Sequence, residues 1–299
     1  MPGLDLITPG WLMVGASGMV GRLVRHAWMR EPDVAMRLVP QLRHADGEDE
    51  AGALFWAPLE GPEPFERYVR EDGSPAALIM LAGVIPGPQA KYIRNVELAV
   101  ACLEAARSVG CERVLIASSA AVYGPSFDIP LREDSVCAPI APYGTSKLAM
   151  EKACRPYREM GMDVCCLRIG NVVGADAFMR NAANRGDGDP ALSIDRFADG
   201  CGPVRSYIGP DSLARVLAAL AAHPGPLPDV MNVAAPVPVD MADLARSANQ
   251  GFEWSDAPDS ALQHVTLDCA RLARFYDFAP EECTAKGMVS QMMQSGLVL

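Results

Sequence analysis

Short apolar runs alternate with amphipathic segments through the first half of this 299-residue chain. Apolar runs of about four to eight residues bounded by turns are typical of buried strands, whereas apolar residues three and four apart are typical of helices. Alternation of the two predicts an α/β fold, in which helices cover both faces of a parallel sheet. The predicted strands are Trp11–Val14, Val34–Gln41, Ala76–Gly83, Arg113–Ser118 and Val164–Ile169, and the predicted helices are Met19–Met29, Tyr92–Arg107 and Tyr143–Glu159.

A glycine-rich turn over residues 15–21 joins the first predicted strand to the first predicted helix. Glycines let the backbone turn sharply, and bare N–H groups at a helix N-terminus attract a pyrophosphate. An ordinary strand-to-helix turn can also be rich in glycine, so the motif alone is weak. Its place at the start of an alternating chain favours a Rossmann-type, doubly wound parallel sheet. The predicted cofactor contacts in the turn are Gly15, Ser17, Gly18, Met19, Val20 and Gly21.

The sequence pattern changes after Gly174. Residues 175–210 are rich in Gly, Asp and Arg with little periodicity, whereas 211–222 predicts a helix with Asp211 as its N-cap. We therefore predict a dinucleotide-binding domain over residues 1–173 and a smaller substrate-binding region over 174–299. The boundary is soft, because the chain is free to cross back into the first domain.

Charge and composition restrict the classes of partner. The formal net charge of -11 disfavours nucleic acid and anionic membranes. No apolar stretch is long enough to span a bilayer, and the N-terminus lacks the pattern of a signal peptide. Nine cysteines and four histidines show no metal-ligand spacing, so no metal site is predicted. We expect a reduced, cytoplasmic protein in which Cys165 and Cys166 are buried thiols.

Tyr143 and Lys147 form a Y-x-x-x-K pair. Residues four apart share one face of a helix. There a lysine ammonium lowers the pKa of a phenol from its ordinary value near ~10 and makes it usable as a general acid/base. The spacing alone is also common on surface helices, so it needs support from other residues.

Three further runs supply that support: VLIASSAAVYG at residues 114–124, PYGTSKL at 142–148 and LRIGNVVG at 167–174. With the glycine turn, they resemble the extended short-chain dehydrogenase/reductases, the NAD-dependent epimerase/dehydratase family. The resemblance covers nearly the whole chain and is strongest up to Gly174. It implies an NAD(P)-dependent enzyme, either an oxidoreductase or an isomerase, that forms a homodimer and acts on a small molecule, for example a nucleotide sugar.

The resemblance also implies roles for individual residues. Ser119 matches the catalytic hydroxyl that acts beside Tyr143 and Lys147. Asn95 matches a helix asparagine that supports the backbone of the active site. The implied cofactor contacts are Leu59, Leu81, Ala82, Gly83, Ser118, Tyr143 and Lys147, and the implied substrate contacts are Ser119, Asn171 and Arg205.

Two departures from the family pattern concern the cofactor. Family members often carry an acidic residue at the end of the second strand, where it binds the ribose of NAD. Residues 39–44 (VPQLRH) contain no carboxylate, and Arg43 is suited to pair with a 2′-phosphate. We therefore expect NADP in preference to NAD. Ala57 replaces a family aspartate beside the adenine, which leaves that contact to Leu59 and the backbone.

The reaction stays open between two enzymes and a binding protein. Ala120 and Ala121 stand where 4,6-dehydratases of the family carry Asp-Glu, which disfavours a dehydratase. No histidine lies near Ser119 or Asn171 in the sequence, which disfavours the epimerase-reductases that use a Cys/His pair. A sugar-nucleotide epimerase and an NADP-dependent reductase of a small ketone or aldehyde remain. An NADP-binding regulator or sensor without turnover is disfavoured, because Tyr143 and Lys147 are both present.

Overall fold

A seven-stranded parallel sheet forms the centre of the molecule. The computed structural model describes residues 10–35, 37–44, 52–125, 129–183, 185 and 189–296. The strands of this sheet are β1 (Trp11–Val14), β2 (Leu38–Leu42), β3 (Leu54–Phe55), β4 (Ala77–Met80), β5 (Arg113–Ser119), β6 (Asp163–Ile169) and β11 (Val230–Val233). Their order across the sheet is β11-β6-β5-β4-β1-β2-β3.

Helices connect and cover these strands, and short strand pairs lie outside the main sheet. The helices are α1 (Met19–Met29), α2 (Pro32–Ala35), α3 (Glu63–Asp72), α4 (Arg94–Ser108), α5 (Pro142–Ala153), α6 (Arg155–Glu159), α7 (Ala177–Ala183), α8 (Pro210–Ala222), α9 (Met241–Ser247) and α10 (Ala285–Gln294). The remaining strands are β7 (Asn171–Val172), β8 (Leu192–Arg196), β9 (Val204–Arg205), β10 (Tyr207–Ile208), β12 (Val239–Asp240), β13 (Phe252–Asp256) and β14 (His264–Val265).

The sheet is buried on both faces, as a parallel sheet requires. In β1, Trp11 and Met13 pack into one apolar cluster with α1 and α8, whereas Leu12 and Val14 pack into another with α4 and α5. This arrangement explains why the strands are continuous apolar runs in the sequence. The predicted Rossmann-type α/β class is confirmed.

The chain re-enters the main sheet well after residue 173. β11 pairs in parallel with β6, with Val230 opposite Cys166 and Val233 opposite Ile169. Helix α8, which precedes β11, packs against α1 on one face of the sheet. Residues 174–209 and those after 235 are therefore excursions from a sheet that both halves of the sequence build.

Three local predictions are wrong. Residues 34–41 are not one strand, since Pro32 starts the short helix α2 and β2 begins only at Leu38. The predicted helix 143–159 breaks at Cys154 into α5 and α6, where Pro156 cannot donate the next helical hydrogen bond. Asp211 does not cap α8 but lies inside its first turn and pairs with Arg30 at 2.6 Å.

Candidate active site

The glycine turn packs tightly against the end of β4. Gly15 has a φ of +90°, and a Cβ there would lie 2.5 Å from the backbone nitrogen of Ala82. A Cβ at Gly21 would lie 2.1 Å from the carbonyl oxygen of Gly15, whereas one at Gly18 meets only that same oxygen, at 3.2 Å. Internal packing therefore requires Gly15 and Gly21, and Gly18 leaves bare backbone at the surface.

The first turn of α1 suits a pyrophosphate. Its N-cap is Gly18, no side chain caps the helix, and the first turn contains no acidic residue. Ser17 and Gly18 are exposed, and Met19 and Val20 are partly exposed. Bare N–H groups and the positive end of the helix dipole favour an anion at this position. The residues present thus fit a dinucleotide cofactor.

Lys147 is buried directly beside the glycine that follows β4. The residue is 4% exposed, and its Nζ donates a 2.7 Å hydrogen bond to the carbonyl oxygen of Ala117 in β5. A Cβ at Gly83 would lie 3.2 Å from that Nζ and 3.1 Å from Oδ1 of Asn95, a tight contact that these side chains would have to relieve by a small shift. Burial lowers the pKa of Lys147 to about 8.

Asn95 in α4 ties the same region together. It is fully buried, and its Oδ1 accepts a 2.7 Å hydrogen bond from the backbone N–H of Val84. Its amide nitrogen donates to the hydroxyl of Ser146 on α5 at 2.9 Å. The segment after β4 is thereby fixed to the helix that carries Tyr143 and Lys147.

Tyr143 and Ser119 bring their hydroxyls together. Burial raises the pKa of Tyr143 above its ordinary value, and a hydrogen bond with Ser119 acts in the opposite direction. The predicted lowering of this pKa is wrong, because desolvation of the buried phenol is the largest effect and raises the pKa. The ammonium of Lys147 donates its hydrogen bond to Ala117.

Ser118 faces away from Ser119 into a buried ionic cluster. Its hydroxyl donates a 2.5 Å hydrogen bond to Glu151 on α5, which also forms an ion pair with Arg168 at 2.8 Å. Both ionic side chains are only 6% exposed. Because its hydroxyl is used in this cluster, Ser118 can contact a cofactor only through its backbone atoms. Sequence reasoning did not find this cluster, although Glu151 follows Lys147 by one helical turn.

The region beside the glycine turn contains one buried polar residue that the sequence did not single out. Gln41, near the end of β2, is 3% exposed and accepts a hydrogen bond from the N–H of Gly15. Arg43 lies just beyond β2 and is exposed. Leu59, 43% exposed, lies in a 3-10 turn after β3. The signal for Gln41 was its place near the end of the second strand, where dinucleotide-binding folds carry a ribose contact.

On the other side, Asn171 and Arg205 lie on short strands of two different small sheets, β7 and β9. Asn171 is the first residue of β7 and pairs with Tyr207 of β10. The guanidinium of Arg205 is committed to the protein backbone. It donates to the carbonyl oxygens of Val204 at 2.8 Å, Gln263 at 2.7 Å and Leu262 at 3.0 Å. Burial lowers the pKa of Arg205.

Burying Lys147 as an ammonium costs stability, and this cost can be measured. Its pKa falls from 10.5 to about 8 on folding, which corresponds to about 3 kcal/mol. A lowered pKa of a base penalises the folded state fully below about pH 8, and the penalty disappears as pH rises through 10.5. We expect Lys147→Met to be at least as stable as the native chain in urea at pH 7, and this advantage to shrink at pH 10. A loss of about 1 kcal/mol or more at pH 7 would contradict it.

The comparisons with known sequences agree with this geometry. Residues 11–234 match the family described as "NAD dependent epimerase/dehydratase family". A UDP-glucose 4-epimerase from Azospirillum brasilense is 32% identical over 182 residues, which are 56% of this chain and 51% of that relative. The chain spans about half the length of the curated relatives that it matches.

Solved structures with the same fold cover nearly the whole chain. The UDP-glucose 4-epimerase from Brucella ovis in complex with NAD superimposes with a TM-score of 0.76 at 21% identity, covering 94% of this chain and 96% of that one. The Thermus thermophilus UDP-glucose 4-epimerase complex with NAD gives 0.72 at 22% identity, covering 95% and 98%. No helix in the described ranges has the length and apolarity to cross a membrane. Because the family match covers more than half of its sequence, the chain belongs to the NAD dependent epimerase/dehydratase family.

Proposed function

We propose that this protein is an NAD(P)-dependent epimerase that acts on a sugar nucleotide by hydride transfer, with Tyr143 as the acid/base. The observation that carries the proposal is the arrangement of three side chains from two elements. Tyr143 and Lys147 lie one turn apart on α5, and Ser119 at the end of β5 shares a hydrogen bond with the phenol.

Each residue has one task in this proposal. Ser119 orients and polarises the substrate oxygen, and Tyr143 takes the proton of a carbinol or returns it to a ketone. Lys147, one helical turn away, binds the ribose of the cofactor. The bare turn at Gly18 and the start of α1 bind the pyrophosphate.

When bound, the nicotinamide cofactor supplies the redox chemistry by accepting and returning a hydride. In the oxidation direction, Tyr143 would take the O–H proton of the carbinol, and in the reverse direction it would return that proton to the ketone oxygen. The substrate and product of an epimerase differ only in configuration at one carbon, so the net reaction would consume no cofactor.

The test is to purify the protein and determine which dinucleotide comes with it, then incubate it with UDP-glucose or UDP-galactose. We expect bound cofactor and interconversion of the two sugars without added reductant. Purified protein that contains no cofactor and needs added NADPH for turnover would contradict the epimerase. It would support the second candidate.

That second candidate is an NADP-dependent reductase of a small ketone or aldehyde. The observation that favours it is Arg205, whose guanidinium donates to the three carbonyl groups already described. An arginine engaged in this way is not offered to a substrate diphosphate. A reductase of a small carbonyl compound needs no such contact.

The cofactor preference can be tested separately. We expect tighter binding of NADPH than of NADH, because Arg43 is exposed just beyond β2 and the described residues 39–44 include no carboxylate. Replacement of Arg43 by Gln should weaken NADPH about tenfold and leave NADH unchanged, since one exposed charge-assisted contact is lost. Arg70→Gln, at an exposed position of α3, is the matched control. Fluorescence titrations in which wild-type protein binds NADH about tenfold more tightly would contradict the preference.

We also propose a homodimer formed through α4 and α5. An open groove of about 460 Å³ lies between these helices, and its lining is mainly apolar. Two of its isoleucines are strongly exposed, Ile93 by 63% and Ile140 by 81%. Contiguous exposed apolar surface marks protein contacts. Sedimentation of the protein tests this proposal.

A further inference from the structure

Gln41 is a buried amide with a backbone partner on each of its polar atoms. Its Oε1 accepts a 2.9 Å hydrogen bond from the N–H of Gly15. Its Nε2 donates to the carbonyl oxygen of Trp56. The amide orientation follows from chemistry, because an N–H group can only donate and a carbonyl oxygen can only accept. Both atoms of this side chain are therefore in use.

The two partners belong to different segments of the chain, the glycine turn and the loop after β3. Gly15 begins the turn that packs on Ala82. Trp56 begins the loop after β3, which is fixed by hydrogen bonds from the Trp56 N–H to Leu42 at 2.9 Å and from the Trp56 indole to Gly61 at 2.7 Å. The exposed Leu59, the predicted adenine contact, lies in that loop. One side chain thus joins the pyrophosphate turn to the adenine loop.

We propose that Gln41 is a positioning residue of the cofactor site, and that its position requires a side chain able to donate and accept at the same time. This inference rests on the proposed function in one respect, that a dinucleotide binds beside the glycine turn and the loop after β3. A carboxylate can accept from Gly15 but has no hydrogen to donate to Trp56. It would face a carbonyl oxygen in a buried place and leave that oxygen without its partner, which is unfavourable.

The requirement for a donor at this position affects the choice between NAD and NADP. At this buried position, the backbone of Trp56 excludes the ionised carboxylate that would bind the ribose hydroxyls of NAD. A neutral amide in its place also does not repel the 2′-phosphate of NADP, as a carboxylate would. The NADP preference thus depends on Gln41 as well as on Arg43.

The test uses two substitutions of nearly equal size, Gln41→Glu and Gln41→Met, in the full-length protein. Circular dichroism first establishes that each variant is folded at the assay temperature. Calorimetry then measures the dissociation constant of oxidised NADP, which tolerates acid, at about pH 8 and about pH 5.5. Thermal unfolding is followed at the same two values.

We expect Gln41→Met to bind NADP about tenfold more weakly at both pH values, since both hydrogen bonds are lost. We expect Gln41→Glu to be equally weak at the higher pH but to recover to within about threefold of wild type at the lower one. A protonated carboxyl group has one donor and one acceptor, like the amide. Its pKa is raised in the folded state, so the Tm of this variant also rises towards that of wild type as pH falls.

Wild-type affinity in Gln41→Met would overturn the proposal, because a merely structural amide changes Tm without changing affinity. Equal weakness of Gln41→Glu at both pH values would overturn the requirement for a donor. Should wild-type protein bind NAD and not NADP, the cofactor preference fails, and the same pH comparison with NAD decides the role of Gln41. Should it bind neither dinucleotide, the proposed function itself fails and the proposal with it.

Discussion

Replacement of Tyr143 by Phe is expected to lower kcat by about 10³-fold or more while the dissociation constant of the cofactor stays within about threefold. The substitution removes one oxygen, the atom that exchanges the proton with the substrate in the proposed mechanism, and a positioned acid/base contributes about 10²–10⁴ in rate. The ring stays packed, and the proposed cofactor contacts of Lys147 and the glycine turn are left in place. Steady-state turnover and cofactor titration measure the two quantities independently.

Tyr92 offers a matched control for this experiment. Its ring lies 6.3 Å from that of Tyr143, and Tyr92→Phe removes the same hydroxyl group from the neighbouring side chain. We expect it to retain activity within a few-fold. Equal loss of turnover and cofactor affinity in Tyr143→Phe would mean that the phenol holds the site together and does not transfer the proton.

Replacement of Glu151 by Ala is expected to reduce the free energy of unfolding by about 3–5 kcal/mol, because it leaves a buried charge without its partner. Glu151 receives three hydrogen bonds from Arg168 and one from Ser118. Burial alone lowers the pKa of Arg168, but hydrogen bonds and the charge of Glu151 raise it above its ordinary value. The variant loses that compensation, but a guanidinium is too strong a base to give up its proton at neutral pH, so a charged Arg168 stays buried. Urea denaturation measures the loss.

Two controls separate burial from charge. Asp134→Asn removes a carboxylate from a 3.0 Å ion pair with Arg132 in which both side chains are strongly exposed. We expect the variant to unfold at the same urea concentration as wild type, because solvent screens an exposed pair. The double variant Glu151→Leu with Arg168→Met should be more stable than Glu151→Ala alone, since neither charge then remains buried. A loss below about 1 kcal/mol in Glu151→Ala would contradict the assignment.

The elements that surround the site were largely predictable from the sequence. The helix Met19–Met29 was predicted with its observed bounds, and the strands around Arg113 and Val164 within one residue. The two strands are largely buried and α1 buries one face, so the apolar pattern of each element directly records its burial. The turn at Gly15 was predictable because its packing against Ala82 allows no side chain.

What the sequence did not predict depends on partners distant in the chain. Arg205 was expected to face a substrate, yet its hydrogen bonds go to residues near position 263, a distant stretch with no motif. Gln41 is hydrogen-bonded to Trp56, and the sequence between these two residues shows no periodicity. Polar side chains acquire their roles from whichever backbone groups the fold brings near them, and spacing within one element does not record this.

The late return of the chain to its main sheet also bears on how such a protein is made and altered. Translation delivers β6 long before its neighbour β11. A nascent or truncated chain that ends at residue 173 therefore presents an unpaired apolar strand and an uncovered α1, a surface prone to aggregation. Insertions between residues 174 and 209 leave both β6 and β11 in the chain, whereas a break at residue 173 removes β11 from the sheet. We therefore expect insertions in that stretch to be tolerated better than a break at residue 173.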